Sequence, residues 1–160
     1  MSKQRKKKHT KKSTPASAMR RFKINTRKHA HEMGDKVKFV ETELKMSAVL
    51  IDFMEPYMDE VKTVHQYRIL TSLAAIAWNA ALLPQPNREE MIQKIEQTMP
   101  QEHRETVQEL IEELIERKQE YFADITRYIT HYEITETEDD WHLAIASILT
   151  GEEAKQGGYL

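Results

Sequence analysis

Between Leu73 and Leu83 the chain reads LAAIAWNAALL, and ten of those eleven residues are apolar, Asn79 being the exception. A helix that is apolar all round cannot rest on one surface; it has to be enclosed. Eleven residues are too few to cross a bilayer, which takes about 20. This segment therefore predicts a central core helix, and the rest of the 160-residue chain must wall it in. A composition of 39% hydrophobic and 31% charged residues suits one modest core, and the length suits one domain.

The walls are legible as helical periodicity. Thr63 stands three residues before Gln66, a capping box that opens the core helix. From Lys36, Val40, Leu44, Ser47, Ile51, Met54 and Met58 recur at steps of three or four, predicting a helix that Pro56 should kink or end. Phe39, Met46, Leu50, Phe53 and Tyr57 form a second stripe beside the first. Asn87 with Glu90 reads as the N-cap of a short helix to about Thr98. Pro100 then suits the first turn of another. That helix sets Val107, Leu110, Ile111, Leu114 and Ile115 on one side and Glu105, Glu109, Glu112 and Glu116 on the other.

After Asp124 the period changes to two. RYITHYEI and WHLAIASI, separated by TETEDD, predict a β-hairpin over about 126–147 with a loop of four residues or more. A register pairing Ile134 with Trp141, Tyr132 with Leu143 and Thr130 with Ile145 puts these six on the core side. The other face then carries Ile129, His131, Glu133, His142 and Ala144, with Glu133 opposite His142. The expected fold class is α+β: mainly a helical bundle of four to five helices with a C-terminal β-hairpin.

Charge divides the chain. Residues 1–28 carry twelve Lys or Arg and no Asp or Glu, whereas residues 29–160 carry the other twelve cations and all 26 carboxylates. The net −2 averages a +12 segment and a −14 body. Residues 1–17 hold too little apolar surface to offset ordering entropy and predict a disordered basic arm. Residues 18–34 predict a marginal helix or linker, 35–149 the compact domain, and 150–160 a polar, disordered tail. The N-terminus has no apolar stretch behind its cations, unlike a secretory signal, and no apolar run is long enough for a membrane span. The chain has no cysteine, which excludes disulfides, thiolate metal sites and Cys nucleophiles. That fits a reducing compartment, the cytoplasm, or the nucleus or an organelle if the basic N-terminus is a targeting signal.

Functionally, the basic arm points to a polyanion. The candidate contacts are Lys3, Arg5, Lys6, Lys7, Lys8, Lys11, Lys12, Arg20, Arg21 and Lys23. Such residues bind phosphates by counterion release without reading sequence. Nucleic acid or a ribonucleoprotein is the expected partner. No aromatic residue precedes Phe22, so base stacking is not indicated. A solubilising tail explains the same composition at even weight. A protein partner docked at the hairpin edge or on the Met-rich helix face, or an oligomer through that edge, is the alternative. His131, Glu133 and His142 are weak metal candidates, outweighed by a plain cross-strand Glu–His pair. His29 and His31 read as solvated residues continuing the arm. No phosphate loop, nucleophile elbow or nucleophile–base pair appears, and neither a catalytic residue nor a cofactor is expected.

Overall fold

The structure, a computed structural model, describes residues 14–32, 40 and 42–158. In chain order these form α1 (Pro15–Glu32), α2 (Met46–Met54), a 3₁₀ helix (Glu55–Glu60), α3 (Val64–Ala81), α4 (Gln85–Gln97), α5 (Gln101–Tyr121), β1 (Tyr128–Glu136), β2 (Trp141–Ile148) and α6 (Gly151–Gln156). The fold is α+β and mainly helical, with one two-stranded antiparallel sheet among the described residues.

The apolar run forms the second half of α3 and is buried as its sequence requires. Ala74, Ala77, Trp78 and Ala80 have no exposed surface. The Thr63 hydroxyl accepts from the Gln66 N–H at 3.2 Å, and the Gln66 side chain accepts from the Thr63 N–H at 3.2 Å, completing the capping box. Three walls close on α3: Leu50, Phe53 and Met54 of α2, Ile111, Leu114 and Ile115 of α5, and Ile129, Ile134 and Leu143 of the hairpin. Phe53 meets Trp78 edge-on, with centroids 5.4 Å apart.

Three long cations from α4 and α5 close helix C-termini, where carbonyls lack intrahelical partners. Arg88 donates to the carbonyls of Ala80, Ala81 and Leu83 at the end of α3. Arg117 donates to Asp52 and Phe53 at the end of α2. Lys118, 2% exposed, donates to Phe122 (2.6 Å) and Ile125 (2.8 Å) at the end of its own helix and lies 4.5 Å from the Trp78 ring.

Helix boundaries depart from the expected ones at four places, the first being α1, which takes in residues 15–17 of the expected disordered arm. The helix expected from Lys36 starts at Met46; Val40 and residues 42–45 are not helical. Arg127 holds this approach instead, donating to the Thr42 hydroxyl (3.0 Å) and the Leu44 carbonyl (3.3 Å). The helix expected from Asn87 starts at Gln85, because Pro84 and Pro86 are already set for a first turn. Residues 150–158, expected as an unpacked tail, include α6: the Thr150 hydroxyl caps it and Glu153 pairs with the buried Arg127 at 2.6 Å. As expected, α2 ends just before Pro56 and gives way to the tighter 3₁₀ helix.

The hairpin register also differs. Ile134 pairs with Leu143, Tyr132 with Ile145, Glu133 with Ala144 and Thr135 with His142, two residues from the expected pairing. The loop is Thr137–Asp140, four residues long as foreseen. It is closed by the Thr137 N–H and hydroxyl, both donating to the Asp140 carbonyl at 2.8 Å. A bulge at Thr130, where the pairing shifts between Ile129 and His131, turns Ile129 into the core and leaves Thr130 exposed. Both positions reverse the expected faces.

Candidate functional site

Helix α1 is the described part of the basic N-terminal region. Residues 1–13, with Lys3, Arg5, Lys6, Lys7, Lys8, Lys11 and Lys12, lie outside the described residues, as do 33–39, 41 and 159–160. Thr14 starts the helix, its hydroxyl accepting from the Ser17 N–H at 3.3 Å. Ala18, Phe22 and Thr26 recur every fourth residue and are 2%, 5% and 6% exposed. That stripe, which the sequence carried among its cations, holds α1 on the hairpin. It makes a defined helix of what composition alone marked as marginal.

The docked surface is the outer hairpin face. Phe22 stacks on His131 at 5.4 Å, and His29 lies over the same ring at 6.1 Å. Asn25 donates to the Glu133 carboxylate at 2.6 Å, and Arg21 donates to the Thr135 hydroxyl at 3.4 Å. Contacts at residues 21, 25 and 29 thus meet strand positions 135, 133 and 131. Four helical residues advance about 6 Å, as do two strand residues. Helix and strand therefore run antiparallel, and α1 begins on the side of the hairpin tip, where Glu136, Glu138, Asp139 and Asp140 lie.

The metal candidates share this face, but not in the expected arrangement. Glu133 stands opposite Ala144 rather than His142, because of the register. Its Oε1 is taken by Asn25 and lies 3.4 Å from His131 Nε2, while its Oε2 and His142 Nε2 are buried without a hydrogen-bond partner among the described residues. Among the described residues no group of three His, Asp or Glu could hold a metal ion. The face works as a seat for α1.

Of the described cations singled out from sequence, Arg20 is exposed, Arg21 reaches Thr135 and Lys23 is half-buried. Arg27 and Lys28 are exposed on the same helix and extend the outward set. The Met-rich face proposed for docking is internal: Met46 and Met54 are 4% and 0% exposed.

A second feature was not legible. A cleft of about 410 Å³ is lined by Arg21 of α1, Arg68 of α3, and Tyr132, Glu133 and Ile134 of β1. Tyr132 hydrogen-bonds Ser72, one turn beyond Arg68 on α3. Nothing in the periodicity around Arg68 marks it, since it is one exposed cation on an otherwise ordinary helix start. Among the described residues no helix is long and apolar enough to cross a membrane. No family model, curated protein or solved structure matches the chain.

Proposed function

We propose that this is a non-enzymatic binding protein whose N-terminal arm and helix α1 contact a polyanion, RNA, DNA or a ribonucleoprotein, in a reducing compartment such as the cytoplasm. The observation that carries this reading is the orientation of α1. Its apolar stripe is spent on the hairpin, and Arg20, Arg27 and Lys28 are exposed on the helix that continues the Lys3–Lys12 segment. Cations on a docked helix lose less conformational freedom on binding than cations on a bare chain. The acidic body supplies the mount, and its remaining surface, carrying the Glu105–Glu116 carboxylates of α5, is unsuited to phosphate.

Deleting residues 1–13 tests this without touching the Thr14 cap. Retention of the full chain on heparin should depend on salt, and the deletion should weaken it while the melting temperature stays nearly constant. Equal retention of both proteins contradicts the proposal.

A further inference from the structure

The cleft between Arg21 and Arg68 follows the open edge of the sheet. Consecutive strand residues point to opposite faces, so Tyr132, Glu133 and Ile134 can line one cleft only along the strand's edge. No β2 residue contributes, so the edge is the one facing away from β2. Among the described residues no strand pairs with it.

The register says which backbone groups face this cleft. The Thr137 N–H donates to the Asp140 carbonyl, so these two form a hydrogen-bonded pair. Such pairs alternate with non-bonded ones along an antiparallel ladder. Ile134↔Leu143 and Tyr132↔Ile145 are therefore non-bonded pairs, and the N–H and C=O groups of Tyr132 and Ile134 point outward. Farther along, past the bulge, the same edge is already filled. There the Asn79 amide donates to the Ile129 carbonyl and accepts from the Ile129 N–H.

We propose that the Tyr132–Ile134 edge accepts an extended acidic segment of another protein as a third strand, with Arg21 and Arg68 pairing its carboxylates. Added strands gain affinity from main-chain hydrogen bonds and specificity from what flanks the edge. Here a guanidinium flanks each face, so either alternation of an acidic strand meets a cation. The chain's own basic arm is repelled by the same two groups. A second copy pairing edge to edge would bring Arg21 and Arg68 of both copies together, and like charges facing each other oppose that contact. Apart from Arg21, this surface shares no residue with the proposed polyanion contact.

The test uses the full chain with a short synthetic peptide of alternating glutamate and valine, and with its lysine-for-glutamate counterpart. The acidic peptide should slow amide exchange at Tyr132 and Ile134. Reversing both charges with Arg21→Glu and Arg68→Glu should weaken binding by about tenfold or more, since two attractions become repulsions. Should Arg21→Glu loosen α1, the single exposed change Arg68→Gln still predicts a severalfold loss with an unaltered melting temperature. The proposal is overturned by no protection at saturating acidic peptide, or by equal binding of the lysine peptide. Undiminished binding by the Arg68→Gln protein overturns it too, as does a dimer that itself protects these amides.

Discussion

The side-chain amide of Asn79 meets the backbone of Ile129 as a neighbouring strand would, with Nδ2 2.8 Å from the Ile129 carbonyl and Oδ1 2.9 Å from its nitrogen. The preceding residue does a related job: Trp78 Nε1 donates to the Arg127 carbonyl at 2.9 Å. The apolar second half of α3 thus pins the start of β1 through Trp78 and Asn79. Asn79→Leu keeps the bulk and leaves both peptide groups without partners. The expected loss is about 1–3 kcal/mol of unfolding free energy, measured by urea titration with an unchanged slope. Wild-type stability in that variant contradicts the assignment.

Arg127 gathers three separate segments. Only 8% exposed, it joins Thr42 and Leu44 of the approach to α2 with Glu153 of α6. Arg127→Met removes the partner that holds α6, a helix too short to persist alone. Amides of residues 151–156 should then exchange at nearly unprotected rates while those of α3 remain slow. Continued protection of α6 would show that it docks by other means.

Burial pushes the Lys118 ammonium below its ordinary 10.5, with Asp124 opposing. The folded chain gives up this proton before the unfolded chain does. Between the lowered value and 10.5 the unfolded state binds more protons, so stability rises with pH across that window. Lys118→Met abolishes the effect. The unfolding free energy of the wild type relative to this variant should therefore increase as pH approaches 10.5 and stay flat near neutrality. Parallel pH profiles for the two proteins contradict the account.

Phe22 anchors α1 through its stack on His131. Phe22→Ala should leave the core intact, reported by unchanged Trp78 fluorescence. It should raise exchange throughout α1, because truncating a buried aromatic ring costs about 3–5 kcal/mol, more than a helix docked by a three-residue stripe can retain. Full protection of α1 in this variant would place its anchor elsewhere.

The sequence made the core and the hairpin faces readable because burial leaves a periodic trace. The apolar run from Leu73, the Thr63–Gln66 box and the alternation of Tyr132 with Ile134 are such traces. It could not set the register, because a slip of two residues returns every side chain to its own face. The choice was made by Thr137 closing on Asp140, a turn contact with no hydrophobic signature. The bulge at Thr130 escaped for the same reason. The seat of α1 was readable in principle from Ala18, Phe22 and Thr26, but the surrounding cations hid a stripe only three residues long. Arg68 beside the β1 edge left no trace, since the cleft exists only once α1, α3 and β1 meet.

The most direct test of the central claim is the binding of a labelled RNA duplex to the full chain across a salt series, beside the protein lacking residues 1–13. If all seven Lys and Arg between Lys3 and Lys12 engage phosphates, log K falls against log salt with a slope approaching about −6, and the deletion flattens it. Binding that ignores salt, or an identical slope in the two proteins, would contradict the account.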